Sequence, residues 1–150
     1  MAAIDVTTEI VIDRSLEQVS TYAADPTNAP EWYENIESVH WKTAPPVSVG
    51  SKMDFVAHMM GRRLAYTYEV AELVPGQRLV MRTAEGPFPM ETTYTWETTP
   101  EGGTRMRLRN RGMPSGFARV GARLMAAVVR RETSKNLKAL KLLLEKGTAG

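Results

Sequence analysis

Residues 115–146 read SGFARVGARLMAAVVRRETSKNLKALKLLLEK, and this stretch decides the fold. It contains no proline, and its apolar residues recur at Phe117, Val120, Leu124, Val128 and Val129, then at Leu137, Leu140 and Leu144. That spacing predicts one amphipathic helix from Ser115 to about Lys146. A helix of roughly 30 residues spans about 45 Å, longer than one small sheet is wide. A sheet that accommodates it must curve around it, and a wrapped helix leaves space between itself and the sheet. The expected product is a container for something apolar.

Upstream, helical spacing gives way to alternation. Residues 90–97, METTYTWE, alternate strictly and pair with residues 105–111 across the turn Pro100-Glu101-Gly102-Gly103. Placing Glu97 opposite Arg105 sets Thr95 against Arg107, Thr93 against Arg109 and Glu91 against Arg111. One face is then a solvent-side ladder of Glu and Thr against Arg. The other carries Met90, Thr92, Tyr94, Trp96, Met106, Leu108 and Asn110. A slip of one residue would bury four arginines, so the register is strongly specified. The same parity argument about Gly61 pairs residues 52–59 with 62–73. It puts Met53, Phe55, Ala57 and Met59 on one face with Leu64, Tyr66, Tyr68 and Val70, while Asp54, His58, Arg63, Thr67 and Glu69 look outward.

Residues 5–12 alternate as a first strand. Ser15 is placed to cap a short helix through Leu16, Val19, Tyr22 and Ala23. Asp25-Pro26 stops it, because the residue before proline avoids helical angles. A second short helix opens at Pro30. Strands follow at 36–42 and 79–83, with Pro75-Gly76 as a turn and residues 85–89 as a loop. The class is α+β: an antiparallel sheet of about seven strands and a long C-terminal helix, in one domain spanning residues 1–150.

With 43% hydrophobic and 24% charged residues, the 150-residue chain has ordinary globular composition. The N-terminus lacks a basic region followed by an apolar run. No apolar run approaches the roughly 20 residues of a membrane span. The expectation is a cytoplasmic protein without stable membrane insertion. Net charge is +2 but uneven: residues 119–146 hold eight Lys or Arg against Glu132 and Glu145, and the chain before them holds eleven against fifteen acids. No aromatics interleave with the basic surplus, so it reads as a solvated helix face and not a nucleic-acid surface.

The absence of cysteine excludes disulfides, thiolate metal sites and cysteine nucleophiles. His40 and His58 have no metal-ligand spacing, so no metal is expected. No glycine loop suits a phosphate: Gly102-Gly103 is a hairpin turn, and Gly112 and Gly116 flank the start of the long helix. Ser115, after Pro114, reads as a helix cap and not as a nucleophile. No cofactor is expected. The ligand-binding candidates are the inward residues. Phe55, Tyr66, Tyr68, Met81 and Tyr94 form walls on the sheet, and Leu124 and Val128 face them from the helix. Thr83, Thr92 and Asn110 supply polar tips, with Glu85 at the mouth. Asn110 facing Thr92 is either satisfied there or orients a ligand oxygen, because an unpaired buried amide costs roughly 1–3 kcal/mol.

Several stretches resemble the SRPBCC superfamily, the helix-grip proteins that include START lipid-transfer domains, plant pollen allergens and polyketide cyclases. Ala24-Asp25-Pro26 with Pro30-Glu31-Trp32-Tyr33 is similar to the family's stretch after its first helix. Val49-Gly50-Ser51-Lys52-Met53 resembles the start of its third strand, and residues 72–79, ELVPGQRL, its fourth-to-fifth strand hairpin. The resemblance is closest to the polyketide cyclase/dehydrase-like branch. It implies a cavity between sheet and helix and three functional readings. The first is binding or carrying of a hydrophobic small molecule, such as a lipid, polyketide or isoprenoid. The second is a metal-free cyclase or dehydratase using cavity Tyr, Thr and Asn groups, which an acid–base pair inside the cavity would favour. The third is an interaction module presenting the basic helix, as in the related heat-shock-protein ATPase activators, which a cavity under about 300 Å³ would favour.

Overall fold

The computed structural model describes residues 4–113 and 121–146. Alternation over Ile4–Ile12 gives β1, whose side chains are buried and exposed in turn along most of its length. β2 (Ile36–Trp41), β3 (Lys52–Met59), β4 (Arg62–Val74), β5 (Arg78–Glu85), β6 (Met90–Thr98) and β7 (Thr104–Gly112) complete one antiparallel sheet, ordered β1-β7-β6-β5-β4-β3-β2. The β6–β7 register sets Glu97 opposite Arg105, Thr95 opposite Arg107, Thr93 opposite Arg109 and Glu91 opposite Arg111, as the alternation requires. β1 extends this charged ladder: Asp5 takes a forked pair of bonds from Arg109 at 2.8 and 2.6 Å, and Glu9 and Glu97 share Arg105 and Arg107. Such exposed pairs contribute under about 1 kcal/mol each; they set which face meets water.

The sheet curls where the ladder loses step. Register shifts fall between Ile36 and Ser38 and at two points along the 13-residue β4, Thr67/Tyr68 and Val70/Glu72. An extra residue on one strand bends it and increases its twist. β1 and β2 are consecutive in sequence yet lie at opposite edges, so the chain between them crosses the open side of the curl. It does so as α1 (Leu16–Ala24), a 3-10 turn (Pro26–Asn28) and α2 (Ala29–Trp32). Ser15 and Gln18 form a reciprocal capping box at the start of α1. Asp25 ends that helix and accepts a hydrogen bond from the Thr27 N–H at 3.0 Å.

The long helix, α3 (Ala122–Lys146), fills the concave side, giving the helix-grip arrangement. It begins later than residue 115: Gly121 sits at φ +86°, a left-handed conformation outside any right-handed helix. The expected cap Ser115 and the apolar residues Phe117 and Val120 lie outside the described residues. The buried face also differs from the expected one. Met125, Val129, Thr133, Asn136, Leu137 and Leu140 are buried, whereas Leu124 is 55% exposed and Val128 is only half-buried. At 100° per residue, a stripe through Leu137 and Leu140 runs back through Thr133, Val129 and Met125, and Leu124 falls on the far side.

The helix is pinned to edge strand β1. The Thr8 hydroxyl donates to Thr133 Oγ1 at 3.1 Å. Arg14 donates to the terminal carbonyls of Leu144 and Glu145, supplying cationic charge where the helix ends. Lys141 reaches the Val11 carbonyl at 2.8 Å, and the Asp13 N–H donates to Glu145 at 2.8 Å. Two buried clusters result. The larger includes Ile12, Met53, Trp96, Met106, Leu137 and Leu140. The smaller joins Ile4, Val6, Leu64, Phe88, Met125 and Val129. No helix among the described residues is long and apolar enough to cross a membrane.

Candidate functional site

Between the two clusters lies a cavity of about 110 Å³. Its floor is a row of side chains running across the strands. Phe55 lies opposite Tyr66, Met81 opposite Thr92, and Thr92 opposite Asn110. The rings of Phe55 and Tyr66 stack at 5.5 Å with an interplanar angle of 9°, and Tyr68 packs against both at 5.0 and 5.7 Å.

A polar relay is built into this floor. Thr92 donates to Asn110 Oδ1 at 2.8 Å. A hydroxyl has one proton, so the 2.8 Å contact between Tyr68 and Thr92 must be a bond donated by Tyr68. The relay runs Tyr68 to Thr92 to Asn110 and leaves both protons of the Asn110 amide without a partner among the described residues. At a second place the hydroxyls of Tyr33 and Tyr94 meet at 2.6 Å. Only one of the two protons lies between them, so the other phenol retains a proton to donate. The Tyr66 hydroxyl has no hydrogen bond to a described residue.

Burial holds all these phenols neutral. Desolvation raises Tyr33, Tyr66 and Tyr94 above the ordinary phenol value. It pushes Tyr68 up to about 12 against the opposing bond with Thr92. Each phenol is therefore a hydrogen-bond donor at neutral pH and not an anion.

The roof comes from α3. Met125 and Val129 supply its apolar part, and Glu132, Thr133 and Asn136 its polar part. Thr133 is satisfied, donating to the Val129 carbonyl at 2.9 Å while accepting from Thr8. Asn136 Oδ1 accepts the Glu34 N–H at 3.2 Å, which ties the lead-in of β2 to the helix. The next residue, Asn35, lines the cavity, and its buried Oδ1 accepts no hydrogen bond. Among the described residues the wall contains no histidine and no lysine.

Seven expected wall residues meet in this cavity: Phe55, Tyr66, Tyr68, Met81, Thr92, Tyr94 and Asn110. Four do not. Leu124 and Val128 give way to Met125 and Val129 because the helix is turned. Thr83 instead bonds both backbone polar groups of Met90, at 2.8 and 3.2 Å. Glu85 is exposed at the end of β5 and is not among the residues that line the cavity. Sequence reasoning missed Tyr33, Asn35, Glu132 and Asn136. For the two helical residues the signal was present: Asn136 lies beside Leu137, and both fall on the stripe that Leu140 defines.

Residues 3–145 match the family model described as polyketide cyclase/dehydrase and lipid transport. Among solved structures, a protein from Thermus thermophilus is similar over 97% of this chain and 99% of its own, with 21% identity and a TM-score of 0.81. A START superfamily protein from Mycobacterium smegmatis matches over 96% and 99%, with 14% identity and a TM-score of 0.81. The Zhui aromatase/cyclase from a Streptomyces species matches over 97% and 95%, with 15% identity and a TM-score of 0.80. At these identities the likeness is one of fold. No curated protein matches the chain.

Proposed function

The chain belongs to the polyketide cyclase/dehydrase and lipid transport family, and from that premise we propose that its cavity binds a compact hydrophobic molecule carrying an oxygen function. One observation carries this reading: polar groups with unspent hydrogen-bonding capacity face a void. A filled core satisfies its buried polar groups. Here the Asn110 amide, the Tyr66 hydroxyl and one of the Tyr33–Tyr94 protons are left over. These three are donors, which suit a carbonyl or hydroxyl oxygen, while Glu132 adds an acceptor to the same wall. The described wall contains no histidine and no lysine, which supports binding over cyclisation.

Size sets the ligand class. An enclosed apolar cavity of about 150 Å³ takes one benzene ring; at about 110 Å³ and partly open to solvent, this one suits a single small ring whose head group reaches the opening, and not a whole lipid. Calorimetric titration with acetophenone tests the reading. One saturable site is expected, lost in Val129→Phe, which fills the cavity from the roof. Absence of saturable binding, or binding indifferent to Val129→Phe, would overturn it.

The small volume also favours the basic-helix reading. On the outer side of α3, Arg131, Lys135 and Lys138 are exposed between Leu124 and Leu142. That reading gains support if an acidic polypeptide binds with salt-dependent affinity that Arg131→Glu and Lys138→Glu remove and Val129→Phe spares.

A further inference from the structure

We propose that the cavity selects its ligand by charge, accepting a single-ring molecule with an amine or other donor head and rejecting the matching carboxylate, with Glu132 setting the preference. The inference rests on the binding reading above and adds the ligand's head group.

Two charged residues contribute to the described wall, Arg111 and Glu132. The charge of Arg111 is directed elsewhere. Its register puts it opposite Glu91 on the outer face, and its guanidinium lies 3.4 Å from that carboxylate. Glu132 has no such partner. It is half-buried and makes no ion pair or hydrogen bond with any described residue. The neighbouring cations of α3, Arg131 and Lys135, are exposed and form no part of the wall. A carboxylate at the edge of an apolar cavity, unpaired among the described residues, disfavours an anionic ligand and favours a cationic one.

Two further features point the same way. Asn136 stands one helical turn beyond Glu132 and holds Glu34, so Asn35 is brought to the same end of the cavity. Its Oδ1 is a buried acceptor without a hydrogen-bond partner among the described residues. Next, Phe55, Tyr66 and Tyr68 form an aromatic surface with centroid spacings of 5.0 to 5.7 Å. The faces of such rings attract organic cations.

Three probes that share a ring and differ in head group test the inference: phenethylamine, phenethyl alcohol and phenylacetate, each titrated calorimetrically at neutral pH. In the unmodified protein the amine should bind at least about tenfold more tightly than the acid, with the alcohol between them. Glu132→Gln should shrink the amine–acid gap to about threefold or less, and Glu132→Lys should invert it. Melting temperatures identify any variant that fails to fold, and either variant alone suffices. Equal binding of amine and acid, or a gap that survives both substitutions, overturns charge selection and leaves the cavity reading intact so long as the alcohol binds. Failure of all three probes removes the cavity reading and this inference with it.

Discussion

The two halves of α3 face different surroundings. Beyond Thr133 the helix lies on filled core: Leu137 and Leu140 are 1% and 0% exposed and share a cluster with Ile12, Trp96 and Met106. Before it, Met125 and Val129 are buried just as well, yet they roof a cavity of about 110 Å³. Apolar periodicity is the same in both halves. The difference lies on the sheet. Under the C-terminal half, side chains that include Ile12, Trp96 and Met106 close the space. Under the N-terminal half, stiff rings and a hydrogen-bonded relay stand in fixed positions and hold it open. A void of this kind is maintained by rigid side chains around it and not by a shortage of residues.

The largest expected effect comes from damage to the filled end. Leu140→Ala should lower unfolding free energy by about 2–5 kcal/mol in denaturant titration, because the cavity it creates cannot collapse. Enlarging side chains should split the two ends further. Leu137→Phe should cost about 1–3 kcal/mol through overpacking, and Val129→Phe, with room to enter, should cost less. Equal costs at both ends would remove the contrast.

The polar relay offers the next test. Thr92→Val keeps the shape and deletes the central hydroxyl, stranding Tyr68 and Asn110. A loss of about 1–3 kcal/mol is expected. Asn110→Leu should cost less, since it leaves the Tyr68–Thr92 bond in place. A larger loss from Asn110→Leu would make Asn110 the structural centre of the relay.

Alkaline pH probes the cavity end as a whole. The folded pKa of each wall tyrosine lies above its unfolded value of about 10. The folded state therefore holds these protons more tightly. Stability is intact below pH 10 and falls as pH rises through the folded values, a window from about 10 to about 12 for Tyr68. Melting temperature measured across that window should decline together with the appearance of phenolate absorbance. Ionisation below pH 10 without loss of stability would contradict the buried, neutral phenols.

The smallest effect on stability is expected from Tyr66→Phe. Its hydroxyl has no described partner, so stability should change by under about 0.5 kcal/mol, while affinity for an oxygenated ligand falls. A larger loss of stability would show that the hydroxyl is already satisfied.

The sheet was legible in the sequence because its alternation is redundant. Four arginines on one face of β7 leave a single register, and that register carries Thr92 and Asn110 to the concave side, as the alternation about Gly61 does for Phe55 and Tyr66. The helix was less legible. Its two apolar stripes disagree in phase: Leu124 and Val128 suggest one face, and Leu137 and Leu140 another. The second prevails: it continues through Val129 and Met125, and it takes in Thr133 and Asn136, hydrogen-bonded polar residues that a hydrophobicity count passes over. Tyr33 was hidden for a different reason. It follows α2 in sequence and reaches Tyr94 only because that short helix crosses the open side of the sheet, a long-range contact that no local pattern encodes.

The protein carries its own reporters for the central claim, that the cavity end receives a ligand and the filled end does not. Met59, Met81, Met90 and Met125 line the cavity, whereas Met53 and Met106 are fully buried outside its wall and Met60 and Met113 are exposed. With the methionine methyl groups labelled with carbon-13, NMR spectra recorded during titration with phenethyl alcohol should show the four cavity signals shifting together to saturation while Met53 and Met106 stay fixed. Shifts confined to Met60 and Met113, or no saturable shift at the four cavity methionines, would contradict the account.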